Sequence, residues 1–411
     1  MTAISASPTR SVAIPLLVIV IAGCIIAALS NGIRTSFGLF TLPITGDLGM
    51  TRESWGMAMA VQQLAWGVAQ PFAGAFADKY GTARTVAVGL VIFAAGLVLM
   101  VVSTNVPMIT LSAGIVCGVA VGVASFAVVM QAFGRNVPAE KRSLYFGIAT
   151  AASSFGQFAV APIGQALINS FGWQQALIFF AISLIAVIPL AFALRGRTEV
   201  TAGQIEVPAL TALRKAWGYP SYRLLVVGFF VCGFHLSFLV VHMPAYLVQC
   251  GLSPEAGSWA IAIIGLFNIV GSLAAGYLGG KVPKQILLAS IYFLRCIAIG
   301  LFLLFPVTEL SAYIFAATMG LLWLSTIAPT AGLVSTFFGV RYMGLLYGIA
   351  FLSHQIGAFT GVWLGGFVFD QTGSYAIIWY LGILLGLASA ALHLPIRERG
   401  DPSFAARPAA A

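Results

Sequence analysis

The chain has 411 residues, of which 60% are hydrophobic and only 8% charged, with 45 glycines and 30 phenylalanines. No soluble domain of this size tolerates that composition, which leaves an integral membrane protein. The five cysteines are odd in number and form no CxxC, so neither a disulfide framework nor a metal site is expected, and no cofactor is indicated.

Crossing the hydrocarbon takes about 20 apolar residues per helix, against roughly 10 alternating ones per strand of a membrane barrel. The apolar runs here are of the longer kind. They predict an all-α membrane protein with twelve transmembrane helices at 14–46, 52–78, 84–104, 107–134, 142–170, 173–195, 221–249, 254–280, 283–305, 309–337, 342–369 and 373–395. The first run is too long for a signal peptide and many spans follow it, so it is read as helix 1.

Helix 1 carries "GIRTSFGLFTLP", Gly32 to Pro43, where Arg34 is the only charge in an otherwise apolar run. A guanidinium in hydrocarbon costs at least about 2.5–3.5 kcal/mol, so a chain that keeps one there has a use for it. Helix 2 holds Gln62, Gln63 and Gln70 and ends in the loop "GAFADKYGTAR"; helix 4 brings Gln131 and helix 5 Gln157 and Gln165. The segment 196–220 reads as a cytoplasmic linker between a six-helix bundle over 1–195 and a second over 221–411 with a short cytoplasmic tail. Helix 7 carries "GFHLSFLVVHMP" with His235 and His242, helix 8 Asn268, helix 9 Arg295, helix 11 His354 and Gln355, and helix 12 His393 at its inner end.

Positive loops stay in the cytoplasm. Arg52 alone among the 20 basic residues falls on one side, Arg34 and Arg295 lie within the membrane, and the other 17 share the side of the termini. Both termini are therefore expected to be cytoplasmic, in a multi-pass protein of the inner (plasma) membrane. The net charge of +9 reflects topology, and no nucleic-acid partner is expected.

An internal repeat runs at an offset of 201. Gly147, Gly156, Gly164 and Gly172 match Gly348, Gly357, Gly365 and Gly373, while Gly32, Ser36, Phe37 and Pro43 of helix 1 match Gly233, Ser237, Phe238 and Pro244 of helix 7. The same offset in two distant places indicates two six-helix halves in parallel repeat. With this repeat and the loop Gly74 to Arg84, the chain resembles the major facilitator superfamily over nearly its whole length. The loop resembles the signature G-x-x-x-D-R/K-x-G-x-R, placing Gly74, Asp78, Lys79, Gly81 and Arg84 in the motif. The resemblance implies that Asp78 and Arg84 hold the cytoplasmic ends of helices 2 and 11 together in the outward-open state. A carboxylate there is favoured by the positive N-terminal end of helix 11, around Tyr342. The second-half copy, "GYLGGKVPK", has Gly280 where Asp78 would correspond.

All eleven acids are assigned to the membrane faces, none to mid-membrane. Cation carriers rely on an intramembrane carboxylate. The intramembrane charge here is basic instead. In the superfamily helices 1 and 7 face each other across a central cavity, so Arg34 and His235, equivalent in the repeat, are expected to approach it from opposite sides. Arg34, His235, His354, Gln355, Gln63 and Arg295 form the expected substrate site, and His235, His242 and His354 are candidates for proton coupling, since histidine titrates near physiological pH. Structural uses compete: Arg34 or Arg295 bonding carbonyls, His235 a packing residue, the other amides interhelical hydrogen bonds.

A positive cavity without a counter-ion attracts a carboxylate, which Arg holds by a bidentate pair of charge-assisted bonds. The pattern resembles the monocarboxylate-transporter and oxalate/formate-antiporter group, with departures: helix 8 offers Asn268 in place of Arg, and helix 11 His354 in place of Lys. A secondary transporter of small organic anions, working as a monomer in the bilayer by proton symport or anion exchange, is the expectation. Efflux of neutral or anionic drugs and a nontransporting sensor are the alternatives. An enzyme is disfavoured, because no HExxH or nucleophile arrangement stands out.

Overall fold

The computed structural model describes residues 14–124, 126–138, 141–196, 209–339 and 343–400. Among the described residues twelve long helices cross from end to end, here named α1 (Leu16–Leu48), α2 (Arg52–Tyr80), α3 (Thr82–Val101), α4 (Val106–Asn136), α5 (142–171), α6 (173–194), α7 (Pro220–Gln249), α8 (Pro254–Leu278), α9 (Lys284–Leu304), α10 (Glu309–Phe338), α11 (Met343–Thr372) and α12 (Ala376–His393). A short amphipathic helix, Ala209–Gly218, precedes α7, and it buries Ala212 and Ala216 while exposing Arg214, Lys215 and Trp217. Most of the expected linker, residues 197–208, lies outside the described residues.

The repeated glycines mark where helices cross. A Cβ on Gly32 would stand 2.5 Å from the Gly156 carbonyl, so α1 and α5 meet backbone to backbone; the repeat partners Gly233 and Gly357 do the same for α7 and α11, against the carbonyls of His354 and Phe230. Without a hydrophobic drive between helices in lipid, such close approach is what holds a bundle together. Gly172 and Gly373, also partners, take positive φ of 83° and 68° at the turns ending α5 and α11.

Within the first half α1 packs on α5 and α2 on α4; within the second α7 packs on α11 and α8 on α10. The halves join through α2 on α11, α5 on α8, and the far part of α1 on α7. Hydrogen bonds between described residues of the two halves lie from mid-depth to the end carrying Arg52. They include Gln157 Nε2 to the Ile261 carbonyl at 3.1 Å, Thr41 Oγ1 to the Val241 carbonyl at 3.2 Å and Asn169 Nδ2 to Glu255 at 2.6 Å. None joins the halves at the opposite end, where the Asp78 loop lies.

Two helices break where unbroken spans were expected. The α-helical part of α1 stops at Thr35, and Phe37–Phe40 tighten into a 3-10 turn with Gly38 lodged against the Val240 carbonyl. α10 opens between Leu322 and Ile327. Pro329 lies in the first turn of the second piece, where a missing N–H costs nothing.

Candidate functional site

Arg34 stands in the last turn of the first piece of α1, where the helix dipole favours a cation by about 0.3–1 kcal/mol. It is half-buried, its Nη2 donates to Asn31 Oδ1 at 2.9 Å, and Asn31 in turn donates from Nδ2 to the Ser153 carbonyl at 3.0 Å. The guanidinium lies 4.8 Å from the Trp66 ring centroid on α2. Trp66 meets Phe351 of α11 edge to face at 5.5 Å, and Phe351 stacks on His354 at 5.6 Å and 7°. One cation, two aromatic rings and an imidazole thus run from the first half into the second. Among the described residues Arg34 has no carboxylate partner.

The hydrogen-bond network assigns the His354 tautomer. Gln355 is fully buried and donates from Nε2 to the Gln63 carbonyl at 2.8 Å, so its Oε1 accepts from His354 Nδ1 at 3.0 Å. That leaves Nε2 as the acceptor nitrogen of the neutral His354 ring. Gln63 therefore serves through its backbone and Gln355 as a strut between halves. Asn31, Trp66 and Phe351 escape the sequence reading; Trp66, three residues after Gln63 and so on nearly the same helix face, is the available signal.

Two expected members are elsewhere. His235 does not face Arg34: its ring turns to α12, where the small residues Gly382 and Gly386 leave a slot and Nε2 donates to the Gly382 carbonyl at 2.8 Å. Equal position along α1 and α7 does not give equal direction, because the long Arg34 side chain reaches sideways to α2. Arg295 is fully buried inside the second half, donating from Nε and Nη2 to the Leu322 carbonyl at 3.2 and 2.6 Å and from Nη2 to the Trp323 carbonyl at 2.6 Å. Those carbonyls are orphaned by the break in α10, and Asn268 completes the repair by accepting from Leu324 N–H at 3.0 Å while donating to Ser154 at 2.8 Å. Arg295 has a structural use here.

His242 is fully buried near the Arg52 end, between α7, α11 and the start of α12. His393 is also buried, its Nδ1 on the Ser389 carbonyl at 2.7 Å and its ring on Tyr292. Gln62 donates to the Ala113 carbonyl at 2.8 Å, joining α2 to α4. In the expected conformational motif Gly81 takes φ 94°, and Asp78, Lys79 and Arg84 are exposed; the start of α11 at Arg341 and Tyr342 lies outside the described residues.

Twelve crossing helices in two related halves, with a cation held where they meet, define a membrane transporter. The chain belongs to the Major Facilitator Superfamily, whose profile matches residues 19–362. It is 26% identical to the uncharacterized MFS-type transporter YcxA of Bacillus subtilis (strain 168), over 89% of this chain and 91% of that one. To monocarboxylate transporter 13 of Bos taurus it is 27% identical, over 85% of this chain and 82% of the relative. A solved D-xylose-proton symporter superposes with a TM-score of 0.72 at 14% identity, covering 93% of this chain and 98% of that one, a likeness of fold.

Proposed function

We propose that this transporter carries a small organic anion of the monocarboxylate kind, with Arg34 as the group that holds its carboxylate. The observation that carries the reading is the half-buried guanidinium at the junction of the halves, with one amide and one indole as neighbours and, among the described residues, no acid to neutralise it. A cation kept at that depth is stabilised best by a substrate that brings the missing charge. Trp66 and Phe351 supply an apolar wall for the rest of the molecule, and His354 stacks on Phe351. The monocarboxylate transporters among the relatives support the same class.

Basic residues crowd the Asp78 end, with Lys79, Arg84, Arg135, Arg214, Lys215 and Arg397 there against Arg52 at the other, which supports an inner-membrane orientation with that end cytoplasmic. The hydrogen bonds at the Arg52 end then correspond to an outer side closed between the halves. A second reading, export of neutral or anionic apolar compounds, is favoured by an apolar groove of about 430 Å³ lined by Ala65, Val68, Phe72, Phe76, Val88 and Val119 among others.

Uptake into proteoliposomes of labelled monocarboxylates, dicarboxylates and cationic dyes, with and without a pH gradient, tests the proposal. Saturable uptake of monocarboxylates is expected. Preference for cationic dyes over every acid would overturn it.

A further inference from the structure

The sequence offers His242 beside His235 and His354 as a candidate for proton coupling, yet its surroundings are different. Its Nε2 lies 2.7 Å from the Val362 carbonyl of α11, and a carbonyl only accepts, so Nε2 carries the hydrogen. In the neutral ring Nδ1 is then an acceptor, and the group 3.3 Å away is the Tyr375 hydroxyl at the start of α12. Tyr375 Oη in turn accepts from Arg52 Nη1 of α2 at 3.1 Å. The chain has one direction throughout: Arg52 to Tyr375, Tyr375 to His242, His242 to Val362. It begins in the first half and ends in the second.

The same corner is fixed by charge. Asp370, at the end of α11, accepts from the backbone N–H groups of Arg52 at 3.3 Å and Glu53 at 2.6 Å, where the N-terminus of α2 is positive. The Arg52 guanidinium lies 3.6 Å from the Phe369 ring centroid. Gly365 and Gly56 leave the room His242 occupies, a Cβ on Gly365 standing 2.7 Å from its ring. The charged and titratable groups facing His242 are Arg52 from α2, Asp370 from α11 and Tyr375 from the start of α12; Tyr246, on its own helix, contacts Tyr375.

We propose that His242 is a proton-binding site that controls a latch between the halves, closed while the ring is neutral and released when Nδ1 takes a proton. A proton there turns the acceptor into a donor. Tyr375 would then receive hydrogens from both Arg52 and His242, leaving its own O–H without a partner, and a second buried cation would stand beside Arg52. Asp370 attracts that cation but forms no hydrogen bond with the ring, its described bonds going to the backbone N–H groups of α2. An unpaired buried donor is costly and a like charge adds to it, which moves a two-state interface toward the open form. Opening that exposes His242 to water relieves both, so protonation and opening favour each other reciprocally. The proposal rests on the transport reading only in giving the proton a role in the cycle.

Spin labels on Cys250, which is exposed, and on a cysteine introduced by Gly46→Cys, where a side chain meets no neighbour, report the separation of α7 and α1 at this end. Distance distributions are compared in the purified full chain between about pH 8 and pH 5, the range in which histidine titrates. The separated population is expected to rise about fivefold or more at the acid end. His242→Gln, which keeps a donor and an acceptor but cannot hold a proton, should abolish that rise; Asp370→Asn should favour separation throughout. An acid-induced rise undiminished in His242→Gln, or its absence from the unaltered chain, overturns the latch. Should His242→Gln not fold, His242→Asn is read the same way. Carboxylate uptake with no acid-dependent opening would leave the anion reading standing and remove the latch. Opening without uptake of any acid would do the reverse.

Discussion

At the scale of single residues the two intramembrane arginines have opposite fates. Arg34 is half-buried with one amide for a partner, whereas Arg295 is wholly buried and donates three hydrogen bonds to the carbonyls that α10 leaves bare. Arg295→Met is therefore expected to lower the thermal unfolding temperature, since each buried carbonyl left unpaired costs about 1–3 kcal/mol. The KM of the protein that survives should be unchanged. An unaltered melting temperature with lost substrate binding would return Arg295 to the site. In sequence each arginine is a lone charge in an apolar run, and it is the break in α10 that gives Arg295 its partners. His235 misled for a related reason, because a repeat offset fixes depth but not which neighbour offers a slot and a carbonyl.

At the scale of helices the pattern was far more legible. The repeated glycines of α1, α5, α7 and α11 are backbone crossings, and the reason they survive at one offset is that each half needs the same two helices to touch. Gly32→Ala should lower stability by about 1–3 kcal/mol, as for overpacking, because the new methyl meets the Gly156 carbonyl. Gly348→Ala, with nothing within 4 Å, should leave the melting temperature unchanged or slightly raised; equal effects of the two changes would contradict the crossing. The break in α10 carries no charge to announce it, and Ser325 and Thr326 within it and Pro329 just after it are the local signs. The Trp66 and Phe351 rings were hidden too, since aromatic residues on membrane helices are common and only the contact of α2 with α11 makes these two a wall.

At the scale of the whole molecule, the halves are bonded from mid-depth to the Arg52 end, and the described residues form no such bond at the Asp78 end. On the proposed orientation, with the Asp78 end cytoplasmic, this arrangement is closed to the outside. The Asp370 carboxylate at the N-terminus of α2 is then the outer counterpart of the inner contact expected of Asp78 with α11. Between them lies Arg34, on which the proposed substrate class rests. Saturation uptake of a monocarboxylate into proteoliposomes holding equal amounts of folded wild-type and Arg34→Gln protein tests that most directly. The account predicts that the variant folds and loses at least about 100-fold in transport efficiency, near the 3 kcal/mol of a charge-assisted pair. Normal carboxylate uptake by Arg34→Gln would contradict it.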